Sequence, residues 1–199
     1  MLKTKVRKRR SPQEARELIL NAAQSRLSAF GVRGLTIKDV AADTDINHGT
    51  LLHHFGSAEG MRIALLTRMT NSLTADMSLI LESNPGPESS IEALFDLMSK
   101  TGHTKLLAWR ALEEGENEQF NIPKESIDSV ADIIDRITAG LSDHDQNTAR
   151  SMVFLAVSTA VGWGICGKGF QQMFGLSPAQ QEDFPRWVGQ QMSRLGTTD

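Results

Sequence analysis

Only one cysteine, Cys166, occurs in 199 residues. It cannot form an intramolecular disulfide, which excludes a disulfide-stapled secreted scaffold and favours a reducing compartment. Tyrosine is absent, and aromatic residues make up 6% of the chain. A secretory leader is not expected either. Lys3, Lys5, Arg7, Lys8, Arg9 and Arg10 make a basic start, but Glu14, Arg16 and Glu17 interrupt the stretch where an apolar segment would have to follow. The most apolar run, residues 152–166, contains Ser158 and Thr159 and is shorter than a bilayer span, so no membrane partner is expected. No stretch alternates polar and apolar residues with a period of two, and no internal repeat is visible.

A hydrophobic content of 40% is too high for a disordered chain. The formal net charge of −3 averages two unlike halves. Residues 1–68 hold 12 basic and 6 acidic side chains, whereas residues 69–199 hold 9 basic and 18 acidic ones. Within the basic half, residues 1–38 alone carry 10 basic and 2 acidic groups. A basic head on an acidic body points to an anionic partner for the head.

Helix signals punctuate the chain. Ser11-Pro12-Gln13-Glu14 combines a capping serine, a proline at the first helical position and a capping-box glutamate. Ile19, Ala23, Leu27 and Phe30 follow at helical spacing, and Gly31 and Gly34 stop that helix. Thr36 caps a second short helix, Thr44-Asp45-Ile46 breaks it, and Asn47 caps a third that runs to about His54. Ser57 opens a long fourth helix. Further starts fall at Ser89 with Glu92, near Leu106, before Ile127, at Ser142 with Asp145, and at Ser177-Pro178-Ala179-Gln180; Pro185 should kink or restart the last helix. The expected fold is all-α with about nine helices. Residues 1–56 form a small head and residues 57–199 a helical body.

Two short helices joined by a three-residue turn inside a basic region have the form of a helix-turn-helix. Its second helix must be short and must project polar side chains from its first turns into a DNA major groove. The residues are specific. Thr36-Ile37-Lys38-Asp39-Val40-Ala41, Ile46-Asn47-His48-Gly49-Thr50-Leu51 and His54-Phe55-Gly56-Ser57 resemble the DNA-binding domain of the TetR (tetracycline-repressor-like) family of bacterial regulators. The likeness covers residues 14–61, about a quarter of the chain, and the remainder resembles the family only in architecture. It implies phosphate contacts from Thr36, Lys38 and Thr50, and a groove-facing set of Asn47, His48, Gly49 and His53. Phe55 is expected in the core of the head. Leu52 stands where the family usually has tyrosine, and Ala58 where it usually has lysine. His53, His54, Lys38 and the basic arm at residues 3–10 are expected to compensate for those two backbone contacts. The resemblance also implies a homodimer on a pseudo-palindromic double-stranded operator, most simply a repressor released by a small apolar or amphipathic effector. A regulator whose body serves dimerisation alone, with no effector, is the alternative.

The chain holds other constellations. His48, His53 and His54 are spaced by five, six and one, unlike the i, i+4 pair of a helical metal site, so no metal is expected. Residues 162–169 satisfy both G-x-G-x-x-G and G-x-x-x-x-G-K, which raises a nucleotide-binding loop as an alternative. The residue after Lys168 is Gly169 rather than a hydroxyl, and no βαβ alternation exists to hold such a loop. The small residues Ala156, Ser158, Ala160, Gly162 and Gly164 read instead as a close helix crossing, as in a dimer interface. Cys166 reads as an inert core thiol. No catalytic set has suggestive spacing, so neither an enzyme nor a cofactor is expected. Phe95, Met98, Trp109, Phe154 and Trp163 are the body residues suited to line an effector pocket, with His103 and Arg110 to orient a ligand.

Overall fold

In a computed structural model, residues 11–83, 86–113, 124–139 and 146–195 are described. Among them the chain forms nine α-helices and no strand. They are α1 (Pro12–Phe30), α2 (Ile37–Thr44), α3 (His48–Phe55), α4 (Ala58–Glu82), α5 (Gly86–Lys100), α6 (His103–Glu113), α7 (Lys124–Ala139), α8 (Gln146–Phe174) and α9 (Pro178–Leu195). A single 3-10 turn, Val32–Gly34, separates α1 from α2. The basic arm at residues 3–10 and the Ser142/Asp145 start lie outside the described residues.

The caps form as their residue types dictate. The Ser11 hydroxyl accepts from the Glu14 amide at 3.1 Å, and the Glu14 carboxylate accepts from the Ser11 amide at 2.7 Å. The same reciprocal pair recurs between Ser177 and Gln180, at 3.2 and 2.9 Å. The Ser57 hydroxyl accepts from the Gly60 amide at 2.9 Å ahead of α4. Gly31 closes α1 with φ 67°, a left-handed conformation that suits glycine.

The chain divides into two compact units, Met1–Leu65 and Leu66–Asp199, and the division falls inside α4. In the first unit Ile19, Ala23, Leu27, Leu35, Val40, Leu51, Met61 and Leu65 are wholly buried. Each large aliphatic side chain so buried contributes about 1.5–3 kcal/mol. Arg26 stitches this unit together. Its Nε donates to the Gly34 carbonyl at 2.8 Å, and its guanidinium pairs with Asp43 at 2.9 Å and Asp39 at 3.6 Å.

In the second unit α5 packs against α8 and α9 around Ile91, Phe95, Met98, Ala156, Ala160, Val188 and Met192. Two glycines permit close helix approach. A Cβ on Gly164 would lie 2.7 Å from the Thr104 side chain of α6, and one on Gly189 would lie 3.0 Å from the Glu88 Cα of α5.

Several expectations need correction. α5 begins at Gly86 rather than Ser89, because Pro87 in a first turn forfeits no helical hydrogen bond. α6 begins three residues before Leu106, at His103. α9 runs through Pro185 without restarting. Cys166 is exposed rather than buried. The small residues of α8 divide between two faces. Ala156, Ala160 and Gly164 pack within the chain, whereas Ser158 is exposed and a Cβ on Gly162 would meet nothing within 4 Å. The apolar run at 152–166 belongs to a 29-residue helix that is long and apolar enough, by length and composition, to cross a membrane. It packs on α5 and α9 through Ala156 and Ala160 and leaves an apolar face uncovered, with 22% of its most apolar window buried.

Candidate nucleic-acid interface

The α2–turn–α3 segment is built by side-chain capping at both helix starts. The Thr36 hydroxyl accepts from the Asp39 amide at 3.1 Å and donates to the Asp39 carboxylate at 2.6 Å. α2 ends at Thr44, whose buried hydroxyl donates back to the Val40 carbonyl at 2.8 Å. Asp45 then takes the left-handed conformation, with φ 52°, which turns the chain. Asn47 caps α3 by accepting from the Gly49 amide at 2.7 Å.

α3 presents one apolar anchor inward, the fully buried Leu51. Asn47, His48, Gly49, Thr50, Leu52 and His53 are all exposed, and His54 is half-buried. Five of these six exposed residues carry no large apolar side chain, so most of this face has hydrogen-bonding groups or bare backbone to offer a groove. The exception, Leu52, is 38% exposed and supplies only apolar contact. A Cβ on Gly49 would meet only the Asn47 Oδ1, at 3.2 Å, so the outer side of this first turn is open. Lys38 is exposed on α2.

The far end of α3 is fixed by groups that spacing alone does not reveal. Gly56 ends the helix with φ 73°. Arg16 of α1 donates to the His54 carbonyl at 3.4 Å, and its guanidinium lies 4.6 Å from the Phe55 ring centroid. Phe55 is therefore half-buried beneath a cation rather than enclosed in the core. A Cβ on Gly60 would fall 2.1 Å from the Phe55 carbonyl oxygen, so only glycine fits where α4 starts against α3.

The body residues suggested for an effector do not form one cluster. Phe95 and Met98 are buried in the α5/α8/α9 core, and Trp163 packs against it, stacked on Phe184 at 4.5 Å. Phe154 is 75% exposed on the opposite side of α8, and Trp109 is half-buried. Arg110 and His103 are buried on α6. His103 Nε2 is 3.0 Å from the Thr70 hydroxyl, and its Nδ1 has no hydrogen-bond partner. Burial pushes the His103 imidazole down to about 4. The glycine-rich segment at 162–169 lies inside α8, so its amides are spent in helical hydrogen bonds and cannot cradle phosphates.

A short capped helix with an open polar face, held by a second short helix across a tight turn, defines a helix-turn-helix DNA-binding regulator. Residues 19–65 match the family model described as bacterial regulatory proteins, tetR family. Over 183 residues the chain is 25% identical to the HTH-type transcriptional repressor Rv3405c of Mycobacterium tuberculosis, covering 92% of this chain and 89% of that one. It is 32% identical over 77 residues to the HTH-type transcriptional repressor KstR2 of the same species, covering 39% of this chain and 38% of that one. The solved structure of a TetR transcriptional regulator from Legionella pneumophila superposes with a TM-score of 0.65 at 18% identity, covering 93% of this chain and 98% of the other. That of the ketosteroid transcriptional regulator KstR2 superposes with a TM-score of 0.53 at 20% identity, covering 92% of each. Residues 19–65 thus match a TetR-type DNA-binding domain, and the chain is a DNA-binding transcriptional regulator similar along most of its length to these proteins.

Proposed function

We propose that the protein is a repressor that binds a pseudo-palindromic operator as a homodimer and releases it when a small apolar or amphipathic molecule enters the body. The observation that carries the DNA reading is the exposed face of α3, where His48, Gly49, Thr50 and His53 stand clear of the core behind the Asn47 cap. Thr36, Lys38 and Thr50 would meet phosphates. Asn47, His48, Gly49 and His53 would enter the groove, with Leu52 and His54 flanking them. The names of the two mycobacterial relatives favour repression. Such a regulator acts in the cytoplasm and needs no catalytic group.

The homodimer is supported by α8. Phe154, Leu155, Ile165 and Met173 are exposed, and Ser158, Gly162 and Gly169 lie among them with open space over both glycines. Large apolar residues alternating with small ones suit a second copy of the same helix, and leaving them in water is unfavourable. The effector reading is supported by the body interior. Buried hydroxyls of Thr70, Thr74, Thr104 and Ser126 and the His103 imidazole lie in the same unit as the apolar Phe95 and Met98. KstR2, titled a ketosteroid regulator, sets the first ligand class to try.

The experiment is selection of genomic fragments by the purified full chain, followed by release with a panel of steroid-derived and fatty-acyl compounds. Enrichment of one two-fold-related sequence, released by a panel member, is expected. No enrichment overturns the DNA reading. A complex insensitive to the whole panel favours a body that only dimerises.

A further inference from the structure

α3 has no lysine, arginine, aspartate or glutamate between His48 and Phe55, yet three of its eight residues are histidine. His48 and His53 are exposed, and the His53 and His54 rings lie 6.0 Å apart. On α1, Arg16 holds the His54 carbonyl and Phe55. On α2, Asp39 and Asp43 pair with Arg26, and Lys38 is exposed. Asp45 in the turn and Glu59 at the start of α4 are exposed, and Arg62 donates to the Leu35 carbonyl at 3.3 Å. The two α2 carboxylates are thus committed to Arg26.

We propose that operator binding takes up protons: His48 and His53 meet DNA as imidazolium groups, so affinity rises as pH falls from 8 to 6. The inference rests on the reading that α3 enters the major groove. Histidine is the side chain whose ordinary titration lies in this range. A neutral ring offers one N–H donor, whereas the protonated ring offers two and carries a charge opposite to phosphate. Purine N7 and O6 atoms and phosphate oxygens all accept hydrogen bonds, so DNA binds the protonated ring better. By linkage the complex then holds more protons than the free partners, and the extra affinity is present at low pH and lost as pH rises. A lysine or arginine at these positions would supply its charge at every pH. Here the reading helix supplies it conditionally.

The test uses the full chain and a duplex enriched by it from a random-sequence pool at pH 6.5. Dissociation constants are measured at pH 6, 7 and 8 across a salt series. The expected gain is about tenfold per pH unit for each net proton taken up, so up to about a hundredfold from pH 8 to pH 6 for one proton. The salt slope at pH 6 should steepen by about 1 for each histidine that meets a phosphate. The double variant His48→Gln/His53→Gln should flatten the pH response while the free chain melts at the unchanged temperature, since both side chains are exposed. His53→Arg should hold its affinity at pH 8. Wild-type affinity that is flat from pH 6 to 8, or a pH response that persists in the double variant, overturns the proposal. Enrichment of no duplex at pH 6.5 overturns the groove reading and the proposal with it.

Discussion

Arg16 on α1 holds the end of α3, donating to the His54 carbonyl at 3.4 Å with its guanidinium 4.6 Å from the Phe55 ring centroid. One side chain thus satisfies a helix-end carbonyl 38 residues away and covers the aromatic face of the next residue. Arg16→Met keeps the aliphatic stem but removes the donor and the cation. It should cost about 1 kcal/mol and loosen the last turn of α3. Hydrogen exchange in the full chain should show faster exchange at residues 52–56. Unchanged exchange there would mean that Arg16 does not position the helix. Arg16→Lys should rescue only partly, because an ammonium cannot reproduce the planar contact.

Gly49 separates stability from binding. Alanine is favoured over glycine in a helix by up to about 1 kcal/mol, and the only neighbour of the added Cβ is the Asn47 Oδ1. That oxygen also caps α3, so propensity and crowding at 3.2 Å oppose each other and Gly49→Ala should change the melting temperature little. It should weaken operator binding by about tenfold or more, because the bare first turn is where the backbone approaches DNA. Equal affinity for the two proteins in a titration would show that the glycine serves no close approach.

Gly60 behaves oppositely. A Cβ 2.1 Å from the Phe55 carbonyl oxygen cannot be accommodated without moving backbone. Gly60→Ala should destabilise the head by about 2–4 kcal/mol despite its better helix propensity. Urea unfolding followed by circular dichroism checks this, and a stability equal to wild type would contradict the packing described.

His103 makes stability depend on pH. Its folded-state value of about 4 lies below the ordinary 6.5, so the unfolded chain takes up the proton first as pH falls. Nothing is lost above pH 6.5. Stability then declines toward pH 4, by about 3 kcal/mol in all, and this contribution levels off below that. His103→Gln should remove that part of the acid sensitivity. Parallel stability curves for the two proteins between pH 7 and 4 would contradict the assignment.

The local features of the head were legible because capping is local chemistry. Ser11 with Glu14, Thr36 with Asp39, and Asn47 each act within three residues of themselves, and all three caps form. What was not legible depends on distant partners. Arg26 looked like one more positive charge, yet it is neutralised by Asp39 and Asp43 across a loop. Gly60 carried no signal, because its constraint is the carbonyl of Phe55. In the body, one run of small residues on α8 was read as one surface. Helical geometry instead sends Ala156, Ala160 and Gly164 inward, and Ser158 and Gly162 outward. α5 starts three residues ahead of Ser89, because a proline is compatible with the first turn of a helix.

The central claim is that α3 reads a specific sequence from the major groove. Methylation-interference footprinting of the enriched duplex tests it most directly, with the full chain and Gly49→Ala compared side by side. Two interference patches are expected at guanine N7 atoms, related by two-fold symmetry and about one helical turn or a multiple of it apart, with Gly49→Ala binding the same duplex more weakly. Binding insensitive to guanine N7 methylation, with no preference over random duplex, would contradict it.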